Sequence, residues 1–183
     1  MLKILKIASA AALSLAFVSV AHVQAFAKDI WVLQTSEGKV EIELLADVAP
    51  KHVQRVKELT AEGFYNGIVF HRVLEGFMAQ GGDPTGTGTG GSNKPDLPAE
   101  FSNIPFDRGI VGAARTQNPN SANSQFFIMF NEGHFLNNQY TVFGRVISGM
   151  DAVDALERGQ GQGGIVPITT RDKITKATIE TRN

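Results

Sequence analysis

Arg72 lies inside an otherwise apolar stretch, Phe70-His71-Arg72-Val73-Leu74. Burying a guanidinium is costly unless its five donors find acceptors. Gln80, on the next apolar run, and Gln125, in Ser124-Gln125-Phe126-Phe127-Ile128, can each offer an amide oxygen. Phe77, Met78, Phe127, Phe135 and Leu136 would wall that cation with apolar surface. Each residue taken singly has an ordinary explanation. A phenylalanine or methionine is core by default, a strand arginine snorkels to solvent, and a glutamine can satisfy a backbone group. Together they describe an uncharged, ring-lined pocket with one fixed cation and no proton shuttle.

Other chemistry lacks its players. The chain has no cysteine, which excludes disulfides, thiolate metal sites and cysteine nucleophiles. No G-x-S-x-G nucleophile elbow occurs. His52, His71 and His134 show no metal-ligand spacing, and His71 in a strand reads as a hydrogen-bonded structural residue. Asp83 stands near Arg72 and Gln80 without a carboxylate partner. No cofactor and no metal are expected.

Rotation about an X-Pro amide suits what remains. Its barrier, about 18–20 kcal/mol, comes from resonance that places the nitrogen lone pair in the carbonyl. In the twisted transition state that lone pair returns to nitrogen and can accept a hydrogen bond. A donor placed there binds the twisted amide better than the planar one. A charge-assisted hydrogen bond is worth about 1.5–3 kcal/mol, or one to two powers of ten in rate. Desolvation and positioning must supply the rest.

The elements that hold these residues are mostly short strands. Val40, Ile42 and Leu44 alternate with Glu41 and Glu43, the pattern of an antiparallel strand with one wet face. Thr35-Ser36-Glu37-Gly38 joins it to the Ile30–Leu33 run as a hairpin. Asp47 and Pro50 mark a helix start with Asp47 as cap, Val53, Val56 and Leu59 repeat along it, and Gly63 ends it. A second helix is predicted over Met150–Arg158. Further apolar runs are Val69–Val73, Phe77–Gly81, Ile110–Ala113, Gln125–Phe130, Val142–Val146 and Lys176–Glu180. In an extended strand Arg72 shares a face with Phe70. Many short strands with frequent turns predict a closed sheet, barrel or sandwich.

Two glycine-rich segments, Pro84–Pro98 and Gly159–Gly164, each contain a literal G-x-G-x-x-G. A phosphate cradle needs that motif between a strand and a helix. Neither match runs into a helix, so both read as flexible turns.

Lys3 and Lys6 precede an apolar run from Ile7 to Val20, and Ala25-Phe26-Ala27 follows. This is the layout of a cleaved export signal over residues 1–27; the apolar core is short for a spanning helix, which wants about 20 residues. A single domain, 28–183, remains. Removal of the two lysines leaves 15 basic against 18 acidic side chains, a formal charge of −3. With no basic run, nucleic acid and anionic membranes are not expected partners. The expected address is outside the cytoplasm, and the expected state is a monomer.

The segment Phe70-His71-Arg72-Val73-Leu74-Glu75-Gly76-Phe77-Met78-Ala79-Gln80-Gly81-Gly82-Asp83 closely resembles the signature of the cyclophilin family. Ser121–Ile128, Val142–Val146 and Gly149-Met150-Asp151 extend the likeness from about Asp29 to Ile179. The resemblance implies an all-β dominated fold, an eight-stranded antiparallel closed barrel with two capping α-helices. It implies prolyl isomerase activity on proline-containing polypeptides, with Arg72 as the catalytic donor. Phe77, Met78, Phe127 and Leu136 correspond to the proline-ring pocket, and Gln80 and Gln125 to residues that hold the arginine and contact the peptide. Phe135 stands where many members have tryptophan, Tyr140 where they have histidine, and Arg115-Thr116 where they have alanine-asparagine. These changes resemble bacterial exported cyclophilins, which implies a bacterial periplasm as the address and weak cyclosporin binding. The rival readings are a non-catalytic proline-binding module or holdase on the same barrel, and a small-ligand barrel; the intact Arg72 disfavours the first and the well-filled interior the second.

Overall fold

Alternating apolar and charged residues start the fold as a hairpin of β1 (Lys28–Thr35) and β2 (Gly38–Leu44), closed where Thr35 faces Gly38. The structure, a computed structural model, describes residues 27–183. The expected export signal falls on the residues before them and lies outside the described residues. After the hairpin come α1 (Pro50–Ala61), β3 (Arg72–Leu74), β4 (Met78–Gly81), β5 (Ile110–Ala113), β6 (Phe126–Met129), β7 (Val142–Ser148), α2 (Met150–Ala155) and β8 (Ile174–Arg182). The strands form one antiparallel sheet in the order β3-β4-β6-β5-β7-β2-β1-β8.

The sheet curls into a half-barrel and stays open, which corrects the expected closed barrel. Its two ends, β3 and β8, share no ladder; they meet through a single bridge, Val69 with Lys173, and bonds such as Phe70 N–H to Asp172 O at 2.9 Å. The reason lies in what already occupies the outer edge of β3. Val73 donates to Gly164 O at 2.8 Å, and Gly159 and Val166 donate to the carbonyls of Val73 and His71. With its edge groups taken by the 159–166 segment, β3 has nothing left to pair with β8.

Inside the curl Trp31 is fully buried, with Tyr65 and Phe126 edge-on at 4.9 Å each. Val53, Val56 and Leu59 of α1 close this core from one end. A smaller cluster of Met78, Phe106, Phe127, Met129, Leu136 and Val142 lies on the other side of the sheet. Strand β6 therefore divides its side chains by parity: Phe126 and Ile128 go to the first core, Phe127 and Met129 to the second. Period two with both faces buried gives the unbroken apolar run seen in the sequence.

Local details differ from expectation where distant residues intervene. Glu41 and Glu43 sit on the predicted wet face but are buried under salt-bridging cations, Lys39 and Arg182 on one, Lys28 and Arg145 on the other. Hydrogen bonds from Arg182 and Lys39 hold the Glu41 carboxyl at about 2. Asp47 does not cap α1; Ala49 is the N-cap residue, and the Glu100 carboxylate accepts the Lys51 and His52 amides at 3.1 Å. A remote carboxylate thus satisfies the orphan donors and suits the positive end of the helix dipole. Gly63, at φ 73°, ends α1 as expected. Helix α2 stops at Ala155, short of Arg158, because Leu156 turns extended.

Two histidines are buried, His52 with Nδ1 2.7 Å from Glu100, and His71 with neither ring nitrogen partnered among the described residues. His71 is thus not the hydrogen-bonded residue expected. Burial lowers both pKa values below the ordinary 6.5, against the pull of Glu100 on one and Asp83 on the other. A folded-state pKa below the unfolded one makes stability complete above about pH 6.5 and reduces it as pH falls. The thermal midpoint is therefore expected to drop between pH 7 and pH 5, before Glu41 or Asp83, both at about 2, begins to titrate. His134, whose pKa Asp107 raises, pulls the other way, so the test is made on His134→Gln: a flat midpoint there across that window, measured by calorimetry, would contradict the neutral burial of the two rings.

Candidate active site

Register puts the candidate residues in one row. Arg72 on β3 faces Gln80 on β4, and Gln80 faces Phe127 on β6. Cross-strand partners share a face of the sheet, so the three stand side by side on the face away from the main core. Leu74, Met78 and Met129 make the next row. Gly112 of β5 pairs with Phe127, and a Cβ there would lie 2.4 Å from the Phe127 ring. That glycine lets the ring lie over β5, stacked on Phe106 at 5.6 Å. Phe70 does not share the face of Arg72. It lies outside β3, where strand alternation has not begun, and packs edge-on against Phe126 in the main core.

Arg72 is half-buried and held at two points. Its Nε donates to Gly163 O at 3.0 Å and its Nη1 to Gln80 Oε1 at 3.2 Å. Among the described residues Nη2 has no acceptor, so its N–H groups are left for a ligand. Burial pulls the guanidinium below its usual pKa, opposed by Tyr140, and the group remains a cation near neutral pH. Gln80 Nε2 donates to Gln125 Oε1 at 2.9 Å. The glutamines therefore act in series, and only Gln80 touches the arginine.

A pocket of about 250 Å³ opens beside Arg72, lined by Phe77, Met78, Gln80, Arg115, Phe127, Phe135, Leu136 and Tyr140, with Ala114. Phe135 is two-thirds exposed at the lip, its ring 5.4 Å from Phe77. It is carried with Leu136 on a short 3₁₀ helix, His134–Leu136. Tyr140 stands edge-on to Phe127 at 5.7 Å, and the Arg115 guanidinium lies 4.4 Å over the Tyr140 ring. Arg115 spends its fork on carbonyls, Nε and Nη2 on Gln139 O and Nη1 on Thr116 O. It braces the tyrosine wall as a stacked cation.

Thr116 and Gln125 line an adjoining pocket of about 440 Å³, which also shares Gln80, Ala114 and Arg115. Its far wall is the Gly88–Ser92 backbone with Asp96 and Asn123. The two pockets make one groove, and every sequence-predicted site residue lines one or both. Sequence reasoning missed the glycine segments. Read as flexible turns, they instead build the site, one as a wall of the second pocket and the other as the acceptor for Arg72 Nε. Their role is carried by backbone carbonyls, which leave no side-chain signal. Spacing also hid a surface cluster that does not line the groove, where Asp107, Glu132 and His134 bring ligand-type atoms within 4.8 Å of one another.

Residues 30–179 match the model of the cyclophilin type peptidyl-prolyl cis-trans isomerases. A probable peptidyl-prolyl cis-trans isomerase of Brucella suis is 58% identical over 161 residues, covering 81% of each chain. A peptidyl-prolyl cis-trans isomerase-like protein of Mus musculus is 42% identical, over 69% of this chain and 80% of its own. Among solved structures, a cyclophilin type isomerase of Cryptosporidium parvum, crystallised in the presence of the dipeptide Ala-Pro, superposes with TM-score 0.75 at 31% identity. That match covers 82% of this chain and 98% of the other. A cyclophilin of Hirschia baltica does so with TM-score 0.72 at 27% identity, over 81% and 73%. The family-model match over residues 30–179, with a relative 58% identical across 81% of each chain, makes this protein a member of the cyclophilin type peptidyl-prolyl cis-trans isomerase family.

Proposed function

We propose that the enzyme accelerates X-Pro rotation in exported polypeptides, with Arg72 as the catalytic donor. The observation that carries this reading is the guanidinium fixed by Gly163 O and Gln80 Oε1, with Nη2 unpartnered among the described residues. A proline ring enters the pocket of Phe77, Met78, Phe127 and Leu136, and the peptide runs along Gln80, Gln125, Arg115 and Thr116 toward the second pocket. Arg72 meets the prolyl nitrogen from the side. In the planar amide the nitrogen has no lone pair to offer; as the bond twists, the pair localises and accepts an Nη2–H. The rings exclude water, so the less dipolar twisted amide loses less on leaving solvent. No bond is made or broken, and no proton moves.

The preference for exported clients rests on the signal-like start of the chain, and the same reading places the mature protein in a periplasm. N-terminal sequencing of protein recovered from that compartment is expected to begin after Ala25 or Ala27; recovery of a chain starting at Met1 would contradict export by cleavage.

Arg72→Ala is expected to lower kcat/KM by about 10- to 100-fold in a coupled assay on an X-Pro peptide, with an unchanged near-UV spectrum. Arg72→Lys recovers only part, because an ammonium lacks the planar fork that bonds two acceptors and a ligand together. Equal rates for Arg72→Ala and the parent would favour a binding module.

Phe135 has no N–H where many relatives of the family offer an indole, so weak cyclosporin inhibition is expected. Phe135→Trp should tighten inhibition about tenfold, the worth of one hydrogen bond. Tight inhibition of the parent protein, unchanged by the substitution, would overturn this.

A further inference from the structure

The hydrogen bonds that hold Arg72 do not end at Gln125. Gln125 Nε2 donates to the carbonyls of Gly88 and Gly90 at 3.1 and 2.8 Å. Those same two glycines turn their N–H groups to Asp83 Oδ2, at 2.6 and 3.1 Å. Asp83 Oδ1 accepts the Thr85 amide and hydroxyl, both at 2.8 Å. The carboxylate is almost fully buried. Burial alone would raise its pKa, but the bonds from Thr85, Gly90 and Gly88 outweigh that and hold it at about 2. A Cβ at Gly90 would lie 2.2 Å from Asp83 Oδ1, so the close approach requires glycine there.

A glutamine side chain has one accepting end and one donating end, and turning it over reverses both bonds. Gln125 must give its nitrogen to the two carbonyls, so its oxygen faces Gln80. Gln80 must then give its nitrogen to Gln125, so its oxygen faces Arg72. Had Gln80 turned over, alone or to follow a turned Gln125, an N–H would meet a guanidinium that can only donate. The sense of the whole chain is set at its far end.

We propose that Asp83 is a positioning residue for the isomerase reaction, fixing the sense of the hydrogen-bond chain that ends on Arg72. The proposal rests on Arg72 as the catalytic donor. Asp83 contacts no substrate. Its four bonds are all accepted, which a carboxylate supports and an amide of the same shape does not.

Asp83→Asn keeps the volume but offers donors to donors. It is expected to lower kcat about tenfold, the loss of roughly one charge-assisted hydrogen bond at Arg72, with KM within about twofold of the parent because the apolar pocket is untouched. The split between kcat and KM then discriminates, because a merely structural loss lowers kcat and raises KM together while a misaimed Arg72 lowers kcat alone. A parental kcat for Asp83→Asn, or a KM that rises as much as kcat falls, would overturn the proposal. Should Asp83→Asn fail to fold, the unaltered protein decides by NMR. A coupling across the hydrogen bond from Gln125 Nε2–H to the Gly88 or Gly90 carbonyl supports the chain, and a Gln125 oxygen facing the turn overturns it. Arg72→Ala in the same assay separates the two readings. If it is slow while Asp83→Asn is parental, only the relay falls; if it is parental, both fall.

Discussion

A half-buried guanidinium must be given acceptors, and much of the molecule around the groove is arranged to supply them. Losing water around an arginine without replacement bonds costs several kcal/mol. Here the replacements come from opposite directions, a backbone carbonyl of the 159–166 segment and the amide oxygen of Gln80. Neither acceptor carries a charge. A carboxylate in either place would hold the arginine more firmly, but it would also neutralise the cation and draw its remaining N–H groups away from a ligand. Neutral acceptors fix the position of the group and leave its electrostatic reach intact.

The same requirement explains the open sheet. The 159–166 segment reaches Arg72 by running along the outer edge of β3, and in doing so it takes the edge groups that a closed barrel would have given to β8. The pocket, in turn, lies outside the curl, where β3, β4 and β6 expose one parity of their side chains to the second apolar cluster. The inside of the curl is filled by Trp31, Tyr65, Phe126 and Phe143. The groove is built on the outer surface of a rigid core, which fixes its residues without asking the core to open.

Most of the fold was legible because it rests on local pattern. The hairpin followed from alternation and a turn, α1 from Pro50 and Gly63, and β4 to β7 from apolar runs close to those observed. The groove was legible for a different reason: an arginine in a strand with two glutamines in neighbouring strands is an expensive arrangement that ordinary packing does not explain, and the likeness to cyclophilins fell on those residues. What could not be read was supplied from far along the chain or by the backbone. Glu100 caps a helix about 50 residues away, and four cations cover a face that alternation marks as wet. Gly163, Gly88 and Gly90 act through carbonyls that every residue type possesses. His71 reads as a strand residue needing a partner, yet tertiary packing buries it without one among the described residues.

The central claim is that one terminal nitrogen of Arg72 stabilises a rotated prolyl amide in preference to a planar one. Replacing Arg72 by citrulline keeps the shape, removes the charge and turns one terminal amino group into an oxygen. The direct measurement is the cis–trans interconversion rate of an X-Pro peptide bound to each form, read by NMR exchange with the enzyme saturated. The account predicts interconversion slowed by at least about tenfold with peptide affinity held within about threefold. An unchanged interconversion rate on the citrulline protein would contradict it.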